Sequence, residues 1–554
     1  MWQPLKEPVF RALWIAAFFS NIGSLMQDVA SAWLMTSLTK EPLMVALLQT
    51  ASNAPFFLLA LLAGTLADVL DRRKLLIVGQ WWMGIAALLL GIITLMGDAN
   101  PGTLLAFTFV LGLGTAVTLP AWNALTPELV KKEQLEPAIA LTSVGYNAAR
   151  GVGSAAGGLV VAAAGPGWVF ILNAMSFLGV LGVISWWKRP AENDSKPASE
   201  PVLGAMRAGI RFAWHSPGLR AVFVKTGLWT MGASAIWALL PLIARQQLHL
   251  DAIGYGLLLS GFGVGTLAGA FILPAMRKTM PLELTARLGI ILWIAATVMM
   301  ALEINFWLAM LYMVGLGISW VVVNSCFNVG AQLAVPSWVR ARAMAIYILI
   351  FQGSIALGST VWGVIGNHTG LSTPLLCAAV FLGVGQIFGL RYKLGVVENF
   401  DTSPSDHWKD VTVAHEPQPD DGPVLVTYEY VIDPTRGADF TKAIAKLGVQ
   451  RKRDGAYEWH IFYDLSHPEQ FVETFMIENW GEYVRQQERA MTADLVAEKE
   501  VQSFHIGKEP TVTRHLLSSF TIEENQKVSE EKDIGNGKRM PTESPDRQTE
   551  SNDT

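Results

Sequence analysis

The chain is 554 residues long, with 41 Lys+Arg against 46 Asp+Glu, a formal net charge of −5, 16% charged residues and 51% hydrophobic ones. Soluble domains carry roughly 25% charge, and here the shortfall is uneven: 39 of the 87 charges fall in residues 1–395 and 48 in residues 396–554. A single water-soluble globule is excluded. So is a disulfide scaffold, because Cys326 and Cys377 both sit in apolar runs, and so is a nucleic-acid binder, because the basic residues form short clusters between apolar segments.

A helix needs about 20 apolar residues to cross a bilayer. Twelve such runs occur in order: 11–37, 43–68, 75–96, 103–126, 138–164, 168–187, then 219–244, 253–276, 284–303, 305–333, 343–366 and 374–394. Phe10 to Leu38 is too long for a signal core and lacks a cleavage site, so it reads as an uncleaved span. Residues 188–217 between the two sets of six read as a cytoplasmic linker. With both termini inside, all the basic loop residues except Lys40 and Arg245 collect on the cytoplasmic side. Six spans, a linker and six spans suggest an internal duplication. At an offset of 205, Asn147, Gly153 and Gly158 meet Gln352, Gly358 and Gly363. The expected domains are 1–187 and 218–395 as six-helix bundles, 396–422 as a linker, 423–510 as a soluble module and 521–554 as a disordered tail.

Between the second and third spans, Gly64-Thr65-Leu66-Ala67-Asp68-Val69-Leu70-Asp71-Arg72-Arg73-Lys74 forms a tight basic loop. Gly64 permits close helix approach, Asp68 lies at a helix end, and Arg72 can pair with it or cap carbonyls. The loop resembles the signature of the major facilitator superfamily, with Asp71 where that family commonly has glycine. The resemblance implies an all-α membrane fold of twelve helices in two halves, and a loop (Gly64, Asp68, Arg72, Arg73) that latches the halves. In the fifth span Gly145, Ala149, Gly153, Gly157 and Gly158 resemble the glycine motif of that superfamily's exporters, with Ser154 in place of its proline. Pro120 to Val130 (PAWNALTPELV) is similar to a stretch in the branch of the enterobactin exporter and related secretion effectors. Export of a small molecule, a siderophore or drug-like compound, is what these likenesses imply.

Ionisable residues at bilayer depth are functional candidates by default. Asp28 in the first span and Arg150 in the fifth are read as facing the central cavity and exchanging charge partners, with Asp28 the proton carrier. A guanidinium keeps its proton, so Arg150 either tunes Asp28 or binds an anionic substrate group; the competing reading is a static structural pair. Gln49, Asn53, Trp122, Asn123, Asn147, Asn324, Asn328, Gln332 and Gln352 offer neutral polar or aromatic groups to a cavity ligand, and helix–helix hydrogen bonding explains each one equally well.

Past Pro423 the pattern becomes strand 424–432, helix 440–448, strands 456–465 and 469–478, one long helix from Trp480 to Glu500, and a closing strand 501–507. This β-α-β-β-α-β order is ferredoxin-like and resembles small monooxygenase-type modules that pair as dimers. His460, His467 and His505 lack ligand spacing, so no metal or cofactor is expected. The reading is a dimerising or sensing module on a proton-coupled antiporter of the inner membrane, not an enzyme. No phosphate-cradling Gly-rich loop appears, which argues against an ATP-driven pump. The alternatives are metabolite uptake by the same fold and a membrane-anchored enzyme with its chemistry in the tail.

Overall fold

A computed structural model describes residues 2–69, 71–187, 202–302, 305–336, 338–392, 394, 405, 413, 417–489, 491–492, 494–507 and 512–518, without the side chains of 60–69 and a few others. The chain divides into two compact units, Met1–Phe400 and Asp401–Thr554. The 521–554 tail lies outside the described residues.

Among the described residues the regular elements of the first unit are all helical: α1 (Pro8–Leu38), α2 (Pro42–Val69), α3 (Arg72–Met96), α4 (Pro101–Leu129), α5 (Leu135–Ala164), α6 (Pro166–Trp186), α7 (Val202–His215), α8 (Pro217–Leu242), α9 (Ala252–Thr279), α10 (Leu282–Ala301), α11 (Phe306–Leu333), α12 (Arg340–Thr369) and α13 (Ser372–Gly389). Helix starts follow from local chemistry. Asp71, Asn100, Ser216, Asp251 and Asn305 each accept a backbone N–H of the first turn, and prolines open α1, α4, α6 and α8, where an N–H has no partner anyway. Each of the twelve predicted spans coincides with a helix. Among the described residues, 11 helices are long and apolar enough to cross a membrane; the twelfth, α5, is 30 residues long but carries Asn147, Arg150 and many small residues. The linker reading is incomplete, because the gap at 188–217 contains α7.

The predicted repeat corresponds to shared packing roles. A methyl added to Gly153 would lie 3.0 Å from the Ile22 carbonyl of α1, and one added to Gly358 would lie 2.5 Å from the Met231 carbonyl of α8, the first spanning helix of the second half. Likewise Gly158 abuts Ala252 and Gly256 on α9, while Gly363 abuts Leu43 and Ala46 on α2. Each fifth span thus packs on its own first span and on the opposite half's second span.

The second unit is a four-stranded antiparallel sheet of order β2-β3-β1-β4, from β1 (Val424–Val431), β2 (Glu458–Tyr463), β3 (Gln470–Ile477) and β4 (Val512–Leu517), with helices α14 (Gly437–Asp454), α15 (Trp480–Glu488) and α16 (Asp494–Gln502). Phe440, Ala443, Ile444 and Leu447 of α14 form the buried stripe that packs with Tyr430 and Ile432. Two expectations fail here. The predicted helix 480–500 is broken, because the buried Asp494 carboxylate accepts the Met491 N–H at 3.1 Å and is held by Arg453 at 2.7 Å. The predicted closing strand 501–507 makes only an isolated bridge, His505 to Ile432. The β1 edge from Val424 to Glu429 is instead paired with 512–517.

Candidate functional site

The two halves of the first unit meet through α5 against α9 and α2 against α12. From the end of the bundle opposite the N-terminus, the contacts run Gly366 on Pro42, Gly363 on Leu43 and Ala46, Thr50 Oγ1 within 2.8 Å of Thr360 Oγ1, then Gly353 on Phe57. On the other side, Gly158 meets Gly256 and the Ser260 hydroxyl donates to the Gly151 carbonyl at 2.9 Å. Arg245 stacks over the Trp33 ring at 5.1 Å and donates to Thr36 Oγ1 at 3.0 Å, and Trp33 stacks on Tyr255. Along one stripe of α5 the burial is graded: Ser154 and Gly158 are buried, Asn147 and Arg150 half-buried, Ser143 and Tyr146 exposed. A cleft closed at the far end and open towards the N-terminal end has this signature.

Arg150 sits at the middle of α5, where the closed stripe gives way to the open one. Its guanidinium lies over the Tyr146 ring at 5.5 Å and over the Phe262 ring of α9 at 5.7 Å, so it touches both halves. Among the described residues no carboxylate lies within ion-pair distance of it. Asp28 is exposed although it lies mid-helix between buried Gln27 and Val29. Arg150 and Tyr255 are within electrostatic reach of its carboxylate. The Asp28 carboxylate is thus within electrostatic reach of Arg150 without a direct salt bridge to it.

The other candidates are spread out. Asn53 and Asn147 donate to carbonyls one turn back on their own helices, those of Gln49 and Ser143. Gln332 donates to Asn328 at 2.6 Å, also on one helix, and Asn324 accepts the Trp229 indole N–H at 3.2 Å. Trp122 packs against the cluster of Leu13, Leu76 and Val180 in the first half, as core rather than cavity lining. Asn123 is exposed, and Gln352 is half-buried beside Gly353. Most of the glycine stripe seats α1 within its own half, Gly145 on Trp14, Gly153 on Ile22 and Gly157 on Met26, whereas Gly158 and the Ser154 carbonyl meet α9 of the other half.

In the loop motif, Gly64 and Asp68 lie in the last turns of α2, and the Asp68 side chain is outside the described residues. Arg72 forms an ion pair with Glu128 at 2.5 Å. Arg73 is the residue that caps carbonyls, donating to Ile184 and Ser185 at 2.9 and 2.6 Å at the end of α6. Asp71, the departure from the family pattern, is the N-cap of α3 and accepts from Arg73 and Lys74 N–H groups.

Sequence reasoning missed two features. Five helices of the second half bring Trp229, Trp237, Phe262, Trp293, Trp320 and Phe351 together around Trp320, whose ring lies 5.6 Å from Trp237, 5.8 Å from Trp293 and 6.0 Å from Phe351. Phe262, beneath Arg150, belongs to the same cluster, 4.7 Å from Trp237. In the first half, buried Asn173 donates to Gln27 at 2.7 Å, next to Asp28 in sequence. The chain's 20 tryptophans were the available signal for the aromatic cluster.

The sequence profile of the transmembrane secretion effectors matches residues 1–524. The chain belongs to that family. Among the relatives of this chain, the enterobactin exporter EntS of Citrobacter koseri is 29% identical over 269 residues, 48% of this chain and 62% of the relative. EntS of Salmonella typhi is 28% identical over 269 residues, 48% and 63% of the two chains. The chain thus spans about six-tenths of the length of these curated relatives. Its fold is shared with a bacterial homolog of the human lysosomal transporter Spinster in an inward-facing, unoccupied conformation (TM-score 0.55, 15% identity, 69% of this chain and 96% of that one). It is shared also with the nucleoside transporter NupG (0.54, 12%, 71% and 100%) and with a bacterial homologue of the iron transporter ferroportin in the inward-facing state (0.55, 14%, 69% and 98%). These are multi-pass membrane transporters rather than enzymes. Among the described residues, no group of three or more His, Cys, Asp and Glu could hold a metal ion.

Proposed function

We propose that the protein is a proton-coupled antiporter that exports a small polar-aromatic molecule, of the siderophore or drug-like class, across the inner membrane by alternating access. The observation that carries the reading is Arg150: a cation at mid-helix depth, at the floor of a one-ended cleft, stacked on rings from both halves and without an ion-pair partner among the described residues. Such a group is costly in a membrane protein unless a ligand or a moving charge uses it. In this reading Arg150 receives an anionic or acceptor-rich group of the substrate, and the wall around Trp320 receives its rings. Asp28 takes up and releases the proton, and its electrostatic tie to Arg150 links substrate occupancy to proton occupancy. The name of the curated relatives, an enterobactin exporter, supports export of a small molecule. The inter-half contacts at the far end are then the closed outer gate, with both termini cytoplasmic and α5 as the twelfth span.

The sheet order β2-β3-β1-β4 supports a ferredoxin-like reading of the second unit, as a dimerising or sensing module. In reconstituted vesicles, Asp28→Asn is expected to abolish gradient-driven efflux while leaving insertion intact and substrate exchange without a gradient measurable. Undiminished gradient-driven efflux would discard the relay. Protease mapping that separated the N-terminus and residues 424–517 onto opposite sides of the bilayer would discard the topology.

A further inference from the structure

The far end of the cleft is closed mostly by glycines against neighbouring chain and by hydroxyl against hydroxyl, but at the end of α8 a cation crosses between the halves. α8 does not stop at Leu242. It runs on through one π-type turn, Ile243–Gln247, closed by the Leu248 N–H donating to the Ile243 carbonyl at 3.0 Å, five residues back. His249 follows at φ 52°, in the left-handed region that a residue with a Cβ rarely takes. Both features cost energy relative to a plain helix end, and both recur where a chain is bent to serve a contact.

That contact is made by Arg245 within the turn. Its guanidinium lies over the Trp33 ring of α1 at 5.1 Å, and its Nη1 donates to Thr36 Oγ1 at 3.0 Å. The Thr36 hydroxyl gives its own proton to the Trp33 carbonyl at 2.7 Å, which leaves its oxygen to accept from the arginine. Trp33 also stacks on Tyr255 of α9, centroids 6.0 Å apart and planes 24° from parallel. One indole of the first half is thus held by a cation and a phenol ring of the second. Among the described residues no carboxylate lies within ion-pair distance of Arg245, so a ring face and one hydroxyl hold it, and these part at less cost than a buried ion pair. At the offset of 205 that relates the halves, Arg245 meets Lys40, which is exposed. The repeat packs without this contact on one side, so it is an addition to the packing and not a requirement of it. Trp33 stands five residues past Asp28 on α1, and Tyr255 is within electrostatic reach of the Asp28 carboxylate, so the contact adjoins the proposed proton carrier.

We propose that Arg245 is the latch of the far gate: seated on Trp33 it keeps the cleft shut at that end, and its withdrawal lets α8 and α9 part from α1. The assignment deepens the alternating-access reading and rests on it.

The test measures distances between spin labels in the full chain, with exposed Cys377 replaced by Ser and buried Cys326 retained, reconstituted in phospholipid vesicles. One pair, Asp98→Cys with Leu302→Cys, reports the far end, and a second, Lys131→Cys with Lys278→Cys, the N-terminal end; all four positions are exposed. Gly158→Leu serves as an independent wedge, because even a methyl there would lie 2.5 Å from the Ala252 carbonyl. Arg245→Ala and Trp33→Leu are each expected to raise the long-distance population at the far end severalfold and to shorten the distances at the other end. Arg245→Lys should do so less, and the double variant no more than either single one, since both break the same contact. Arg245→Gln, which keeps a donor for Thr36, replaces the alanine variant if that one fails to insert. If the wedge moves the labels while the Arg245 and Trp33 variants leave them at parental distances, the latch is overturned and alternating access stands. Labels that no variant moves overturn both. Opening by Trp33→Leu without opening by the Arg245 variants assigns closure to the Trp33–Tyr255 stack and removes Arg245 from the gate.

Discussion

Two arginines, one in each unit, sit against aromatic rings and differ in what else surrounds them. Arg451 lies over Tyr428 and Phe475 at 5.2 and 5.3 Å, and it also pairs with Glu498 at 3.1 Å and approaches Glu473 at 3.6 Å. Burial alone would favour losing its proton, but Tyr428, Glu473 and Glu498 hold it above the ordinary guanidinium value. Glu473 is in turn hydrogen-bonded by Tyr430 and by the Trp459 indole at 2.8 Å. Arg150 has the rings without the carboxylates. A buried charge that its own protein answers with carboxylates is architecture; one that has rings, the Tyr146 hydroxyl at 3.5 Å and a nearby acid beyond contact is open to a ligand.

That contrast can be broken by experiment, and the largest effect is expected at Arg150. Arg150→Ala should abolish transport by reconstituted protein while leaving its melting temperature close to that of the parent; a large loss of stability with transport retained would reverse the assignment. Arg150→Lys should keep part of the activity, because it keeps the charge but loses the flat face that stacks on Phe262 and Tyr146. Arg451→Ala should do the opposite. Leaving Glu473 buried without its counter-charge costs about 3–5 kcal/mol, read as lost amide protection across residues 424–477 in hydrogen exchange of the full chain, with little direct effect on transport.

A smaller effect is expected from the proposed division of labour, in which the first half supplies charge and the second rings. Trp320→Ala should raise KM with kcat little changed, since one aromatic contact is worth about 0.5–1.5 kcal/mol, roughly tenfold at most; an unchanged KM would detach the aromatic cluster from the site. The smallest effect is a pH slope in the second unit. Burial lowers the His515 imidazole below its ordinary 6.5, and its Nε2 lies 2.6 Å from the Tyr483 hydroxyl. The unfolded chain therefore takes up a proton that the folded one refuses, so stability falls as pH drops below about 6.5 and is unaffected above it. His515→Gln should flatten that slope in the same exchange measurement.

Much of the first unit was legible because lipid imposes a one-dimensional rule: long apolar runs, small residues where helices touch, basic residues in the loops. The match of Gly153 and Gly158 to Gly358 and Gly363 was visible at a fixed offset, and the structure gives each pair equivalent neighbours in the two halves. Asp28 and Arg150 stood out because charge in an apolar run is rare. The helix break at 489–494 was not legible, since it depends on Arg453, about 40 residues earlier in the chain. Nor was the pairing of 512–517 with β1, which competes with the more strand-like 501–507.

Sequence alone determined where the chain is apolar enough to enter a bilayer, that six helices recur as six more, and which charges are out of place, because each is a property of residues close together along the chain. Tertiary structure decided which end of the cleft is shut, that Arg150 rests on a ring from the opposite half, and that tryptophans from separate helices form one wall. Those are contacts between different helices, 27 positions apart for Trp293 and Trp320, 112 for Arg150 and Phe262 and 310 for Thr50 and Thr360, and only packing brings them together.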